Sequence, residues 1–138
     1  MSSGRVLALD FGTRRVGVAV SDPLGITGQA HSVLDGEDPA LMDRIARLAA
    51  QLEAERIVVG LPVSLDGREG PAAEAARRFA GSVGEATGLP VHLVDERFTT
   101  VSAERVLVEA GLSGRRRRRV RDRVAAAVLL QSYLDGER

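Results

Sequence analysis

The sequence predicts an α/β fold built on a mixed five-stranded sheet, and three observations carry that prediction. The first apolar runs are short and joined by tight turns. The later ones alternate with stretches of helical periodicity, and the last is a long helical segment entered through a run of arginines. An antiparallel meander continued by parallel strands and crossover helices accounts for all three, with helices on both faces of the sheet. At 138 residues and 44% apolar composition, with no internal repeat or linker, the chain reads as a single domain, 1–138.

The elements follow in order. "RVLALDFGTRRVGVAVSD" holds two short apolar runs, Val6–Leu9 and Val16–Val20, joined by a Gly-containing turn, the pattern of a hairpin. "GITGQAHSVL" (Gly25–Leu34) reads as a third strand after a turn with Pro23 and Gly25. Asp38 and Pro39 place a cap and a first-turn proline ahead of "ALMDRIARLAAQLEAE", where Leu41, Ile45, Leu48, Ala49 and Leu52 recur at helical spacing. "RIVVGLP" (Arg56–Pro62) is a wholly apolar run stopped by Gly60 and Pro62, as in a central parallel strand buried on both faces. A loop leads to an alanine-rich helix, Pro71–Thr87, ended by Gly88 and Pro90; "VHLVDERF" (Val91–Phe98) is the last strand. Thr99 or Thr100 caps a helix through about Ala110, closed by Gly111, and the final helix runs from the arginines into "VAAAVLLQSYL".

Composition narrows the chemistry. Without cysteine there is no disulfide framework, thiolate zinc site or cysteine nucleophile. No leader and no apolar run of membrane-spanning length is visible, so a cytoplasmic location and no membrane partner are expected. Formal net charge is zero, but seven arginines and one acid lie between Gly111 and Arg123, a basic patch on an otherwise acidic body. All 19 basic residues are arginine, which fits planar phosphate recognition and equally an arginine-rich codon bias. Five consecutive cations, Arg115, Arg116, Arg117, Arg118 and Arg119, repel one another, and phosphate contact answers that better than a solvated face. His31 and His92 sit within strands at no metal-ligand spacing, and the few aromatics do not make a base-stacking platform.

Carboxylates mark the strand ends. In open α/β sheets working groups gather beyond the carboxyl ends of the parallel strands. Asp10, the Gly60–Gly67 loop, and Asp95 with Glu96 all follow such ends, and they converge if the first, fourth and fifth strands lie side by side. In the last helix Asp122 shares a face with Ala125, Ala126, Leu129 and Tyr133, so it points inward at the rim of the core; taken alone, it is equally an acid complementing a helix dipole. Asp10, Glu96 and Asp122 at one rim raise one another's pKa unless a divalent cation offsets the charge. Oxygen ligands suit Mg²⁺ or Mn²⁺, and two such ions activate a water and stabilise the leaving oxygen of a phosphodiester displacement. Strand alternation puts Asp95 and Glu96 on opposite faces without saying which faces the site. Thr13 and Arg14 beside Gly12 bring a hydroxyl and a guanidinium to a phosphate, or simply form the hairpin turn; Arg97 holds a phosphate or pairs with Glu96.

"LDFGTRRVGVAVSD", "VVGLPVSLDGREGP", "VDERFTT", "SAERVL" and "RDRVAAAVLLQSYL" resemble, in order and over nearly the whole chain, the successive motifs of the YqgF/RuvX family. The resemblance implies an RNase H-like βββαβαβα nuclease core in a bacterial cytoplasmic protein. It also implies trimming of the 5′ end of precursor 16S ribosomal RNA, a ribosomal subunit precursor being then a partner, with action on branched DNA the alternative. The family's acids fall on Asp10, Glu96 and Asp122, Asp10 bridging two ions; Glu96 is chosen over Asp95 on this ground. Related nucleases often carry an acid at the end of the fourth strand, where this chain has Gly60, Leu61 and Pro62, with Asp66 further on.

Two other readings compete. "DFGT" also resembles the first phosphate motif of actin-like and sugar-kinase ATPases, but these duplicate the domain, and 138 residues hold one half. A non-catalytic RNA-binding assembly factor on the same fold is the other. Monomer and homodimer are both compatible with the sequence.

Overall fold

The computed structural model describes residues 4–12, 14–64, 66–96 and 114–136, with side chains in the last segment from residue 124 onward. Five strands, β1 (Arg5–Phe11), β2 (Arg15–Ser21), β3 (Gly28–Asp35), β4 (Ala54–Leu61) and β5 (Val91–Asp95), form one sheet in the order β3-β2-β1-β4-β5. The hairpin pairs are antiparallel, whereas β1, β4 and β5 run parallel and side by side, which is the arrangement that gathers their carboxyl ends. Among the described residues the helices are α1 (Leu41–Gln51), α2 (Pro71–Thr87) and α3 (Gly114–Gly136). None is long and apolar enough to cross a membrane.

The central strands explain their own composition. Leu7, Leu9, Ile57 and Val59 face one side and pack with Leu41, Ile45, Ala49, Phe79 and Val83 of α1 and α2. Val6, Ala8 and Val58 face the other and pack with Ala126, Leu129, Leu130 and Leu134 of α3. Strands covered on both faces cannot alternate apolar with polar residues, so β1 and β4 read as continuous runs. Phe11 stacks on Phe79, centroids 4.4 Å apart, tying the end of β1 to α2.

Three boundaries differ from the sequence expectation. The third strand starts at Gly28 rather than Gly25, because the Asp22 carboxylate accepts the backbone N–H groups of Leu24, Ile26 and Thr27 and folds them into a turn. Helix α1 ends at Gln51, and Ala54 and Glu55 open β4; Glu53 between them turns the chain at φ 54°. Asp38 does not cap α1 directly. It accepts the N–H of Ala40, 2.8 Å away, and pairs with Arg44, so Pro39 precedes the helix rather than opening it. The expected helix after Thr99 or Thr100 lies outside the described residues.

Helix α3 comes very close to the hairpin. A Cβ on Gly28 would stand 2.9 Å from Leu130 Cγ, and the bare backbone lets Gly28 N–H donate to Gln131 Oε1 at 2.9 Å. This clamp and the Leu129–Leu134 ridge hold the helix across the sheet face that carries the site.

Candidate active site

Pairing register places the first carboxylate. Asp10 lies opposite Gly17 on one side, and since Leu9 pairs with Val59 in parallel, Gly60 is its neighbour on the other. Gly60 in turn pairs with Val94 and Leu61 with Asp95, after which Glu96 N–H donates to the Leu61 carbonyl at 3.2 Å. The ends of three adjacent parallel strands thus form one rim.

Strand parity then selects the acid. Val6 and Ala8 belong to the core beneath α3, so Asp10, two residues on, faces α3. Val94 packs against that same core, which sends Glu96 to the same side. Leu93 packs on the α1/α2 side, and Asp95 projects that way, exposed. The ambiguity left by sequence alternation is removed: Glu96 meets Asp10 and Asp95 does not.

The Asp10 and Glu96 carboxyl groups are hydrogen-bonded to each other. Burial, the Asp10 charge, the hydrogen bond to Asp10 and, last, the Asp95 charge push the Glu96 carboxyl up to about 8. In the metal-free protein the pair therefore keeps a proton at neutral pH, because two adjacent carboxylates cannot both ionise without a counter-charge.

Gly60, which the sequence presents only as a strand end without an acid, has a positioning role in the structure. A Cβ there would stand 2.3 Å from Glu96 Oε2 and 3.1 Å from Leu129 Cδ2. The missing side chain is the space the Glu96 carboxylate occupies, and an acid at this strand end would collide with it. A lone glycine inside an apolar strand run was the available signal, and it was read as a stop. Leu129, against the same spot, sets the height of α3 over the pair.

Other predicted residues divide clearly. Asp122 lies in α3, seven residues before Leu129, which by helical arithmetic is about 10 Å further toward the strand ends. Its carboxylate lies outside the described residues, as do Thr13, Arg97 and the side chains of Arg115, Arg116, Arg117, Arg118 and Arg119. Arg14 is exposed on the rim, where Gly12 N–H donates to Arg15 O at 2.9 Å and Gly36 N–H to Arg14 O at 2.8 Å. Asp66 is turned into its own loop, accepting from Ser64 Oγ and from Arg68 N–H, and the Ser64 contact leads the effects that hold its pKa low. His31 bonds Ser32 and His92 faces Tyr133, both away from the rim acids. Among the described residues no three metal-ligating side chains converge. The two that do meet fit a hard divalent cation: their donors are all oxygen, and their mutual repulsion is the kind a dication relieves.

A mixed five-stranded sheet in the order β3-β2-β1-β4-β5, with carboxylates at the ends of its parallel strands, defines the class of fold as RNase H-like. The chain belongs to the RuvX Holliday junction resolvase family, whose model matches residues 4–136. A relative from Pelotomaculum thermopropionicum, named "Putative pre-16S rRNA nuclease", is 48% identical over 135 residues, covering 96% of this chain and 88% of its own. One from Moorella thermoacetica with the same name is 49% identical over 132 residues, covering 95% and 94%. Among solved structures the fold is similar to that of T. thermophilus RuvC in complex with a Holliday junction substrate, with a TM-score of 0.58 at 18% identity over 97% of this chain and 95% of that one. The expected family and fold are borne out.

Proposed function

We propose that this chain trims the 5′ end of precursor 16S ribosomal RNA by metal-dependent phosphodiester hydrolysis in the cytoplasm. The observation that carries the reading is the hydrogen-bonded Asp10–Glu96 pair at the ends of β1 and β5, a site whose charge is unbalanced without a cation. Asp10, Glu96 and Asp122 would hold one or two Mg²⁺ or Mn²⁺ ions there. When bound, the ions supply an activated water and charge stabilisation at the leaving oxygen.

The protein's own share is positioning. Gly60 leaves room for Glu96, and Leu129 of α3 rests against the same spot; α3 is the element that would bring Asp122 to the pair. Arg14 on the rim, with Arg97 and Arg115–Arg119, supplies the cationic contacts, and Thr13 a hydroxyl, that hold the phosphate backbone in register. The names of the relatives favour the ribosomal precursor; the family description keeps branched DNA as the comparison substrate. Trimming an end needs one active site, whereas symmetric junction cutting needs two.

The test is cleavage of a precursor 16S fragment and a four-way DNA junction, with and without Mg²⁺ or Mn²⁺, by wild type and Asp10→Asn. Divalent-dependent cleavage of the RNA, lost in Asp10→Asn while salt-sensitive binding survives, is expected. Equal cleavage by both proteins overturns the role of Asp10, and preferential cutting of the junction overturns the substrate.

A further inference from the structure

We propose that the groove between α1 and β3 is an accessory phosphate track that receives a single-stranded segment flanking the scissile bond; it rests on the nuclease reading and names how that substrate lies. The groove has a volume of about 240 Å³ and is lined by Ser32, Leu34, Arg44, Arg47, Leu48 and Gln51. Its polar lining consists of two guanidinium groups, a hydroxyl and an amide, with no carboxylate among them. That donor set suits an anion, and the two leucines offer an apolar floor to a sugar or base.

The arginines are set up for the task. Arg44 and Arg47 are three apart on α1 and so project from one side of the helix. Asp38, itself fixed by the Ala40 N–H, engages Arg44 through Nε, which leaves the two terminal nitrogens to face a ligand. Arg47 is exposed, and among the described residues it has no ion-pair or hydrogen-bond partner.

Register ties the groove to the catalytic rim. Asp10 pairs with Gly17 and Gly17 with Val33, so Ser32 and Leu34 flank the row that carries the catalytic acid, two strand spacings or about 10 Å away. The groove lies on the α1 side of the sheet and Asp10 on the α3 side. A strand joining them must pass over the rim, where exposed Arg14 stands in the β1–β2 turn beside Gly36. Adding a layer thickness of about 10 Å gives a path of about 20 Å, or about six nucleotides at a stacked rise of 3.4 Å. A duplex is too stiff to fold round the edge of a sheet over that distance, so the occupant is single-stranded.

The experiment measures binding by fluorescence anisotropy from 50 to 200 mM salt, using the full chain with Asp10→Asn to prevent cleavage. Ligands are an RNA hairpin with an eight-nucleotide single-stranded flank and the same hairpin blunt. The flank is expected to tighten binding, and adding Arg44→Gln with Arg47→Gln removes that gain, roughly tenfold, and lowers the salt slope by about 1.4. Arg47→Gln alone, which keeps the Asp38–Arg44 pair, removes about half of the slope change, and unchanged thermal melts show that the fold is intact. A flank that adds nothing, or a gain that survives the double substitution, overturns the track. Failure of the wild type to cleave RNA with Mg²⁺ overturns the nuclease reading instead, whatever the flank does.

Discussion

Gly60→Ala is the sharpest perturbation because it separates function from folding at one atom. The new Cβ would stand 2.3 Å from Glu96 Oε2, so the carboxylate must retreat by about 1 Å to regain an ordinary contact of 3.4 Å or more. That oxygen ends a flexible side chain and can yield at little cost. The second contact, 3.1 Å to Leu129 Cδ2, asks only a few tenths of an ångström of α3. Replacing glycine also reduces unfolded-state entropy, which returns about 0.4–1 kcal/mol. Net stability should therefore change by about 1 kcal/mol or less, a shift in Tm of about 5 °C at most. Activity should not be spared, since a displacement of about 1 Å in a positioned group costs about 100-fold. Steady-state cleavage beside calorimetric unfolding makes the comparison. A variant with more than half the wild-type kcat/KM refutes the argument, as does an activity loss matched by destabilisation above about 3 kcal/mol.

Glu96→Gln tests the raised carboxyl. Between its ordinary pKa of 4.5 and about 8 the folded metal-free protein keeps a proton that the unfolded chain has released, so stability falls as pH rises through that window and levels off above it. The full shift corresponds to about 5 kcal/mol; Glu96 is half-buried, so solvent screening reduces the expected fall to about 2 kcal/mol, and urea unfolding in chelator from pH 4.5 to 9 should show it in wild type but not in Glu96→Gln. A Mg²⁺ or Mn²⁺ ion held by the pair would compete with that proton, so either ion should raise the wild-type Tm more at pH 8.5 than at pH 6 and leave Asp10→Asn unmoved; differential scanning fluorimetry reads both. Leu129→Ala, in a fully buried position, should cost about 2–4 kcal/mol by denaturant titration, and divalent affinity by isothermal titration should weaken because α3 loses its seat above Gly60.

Much of this architecture was legible because local pattern and tertiary environment agree. Continuous apolar runs at Val6–Leu9 and Ile57–Val59 announce strands covered on both faces, and both faces are covered. Where local and long-range forces compete, reading fails. Gly25–Thr27 is apolar enough for a strand, but one carboxylate four residues from the middle of it captures the backbone donors first. Ala54 and Glu55 are good helix formers, yet Ala54 pairs with Arg5 of β1 and Glu55 follows as the bulge before Arg56 pairs with Val6, which claims both for β4. Asp95 and Glu96 could not be separated along the chain, since the face each takes is set by the register of β5 on β4, a relation between segments more than thirty residues apart.

Gly60 shows why a site can be half visible. Acids advertise chemistry, but the residue that lets two of them meet contributes only a vacancy, and a vacancy has no side chain to read. In a sheet where Asp10, Gly60 and Val94 stand in one row, the middle strand decides what the outer two can do. A side chain on β4 would either separate the carboxylates or become a third ligand itself; with glycine there, the end of β5 reaches back across β4 and brings Glu96 to Asp10. Helix α3 lies close over the bare backbone at Gly28 and rests through Leu129 over Gly60, and under the proposed function it is the element that would bring the third ligand, Asp122, from above the sheet. An acid placed on β4 together with truncation of Glu96 to alanine, which clears the space, should thus retain cation binding where Glu96→Ala alone loses it. Isothermal titration of Gly60→Asp/Glu96→Ala with Mn²⁺ decides the point, and no recovery over Glu96→Ala would show that the row does not exchange its ligands.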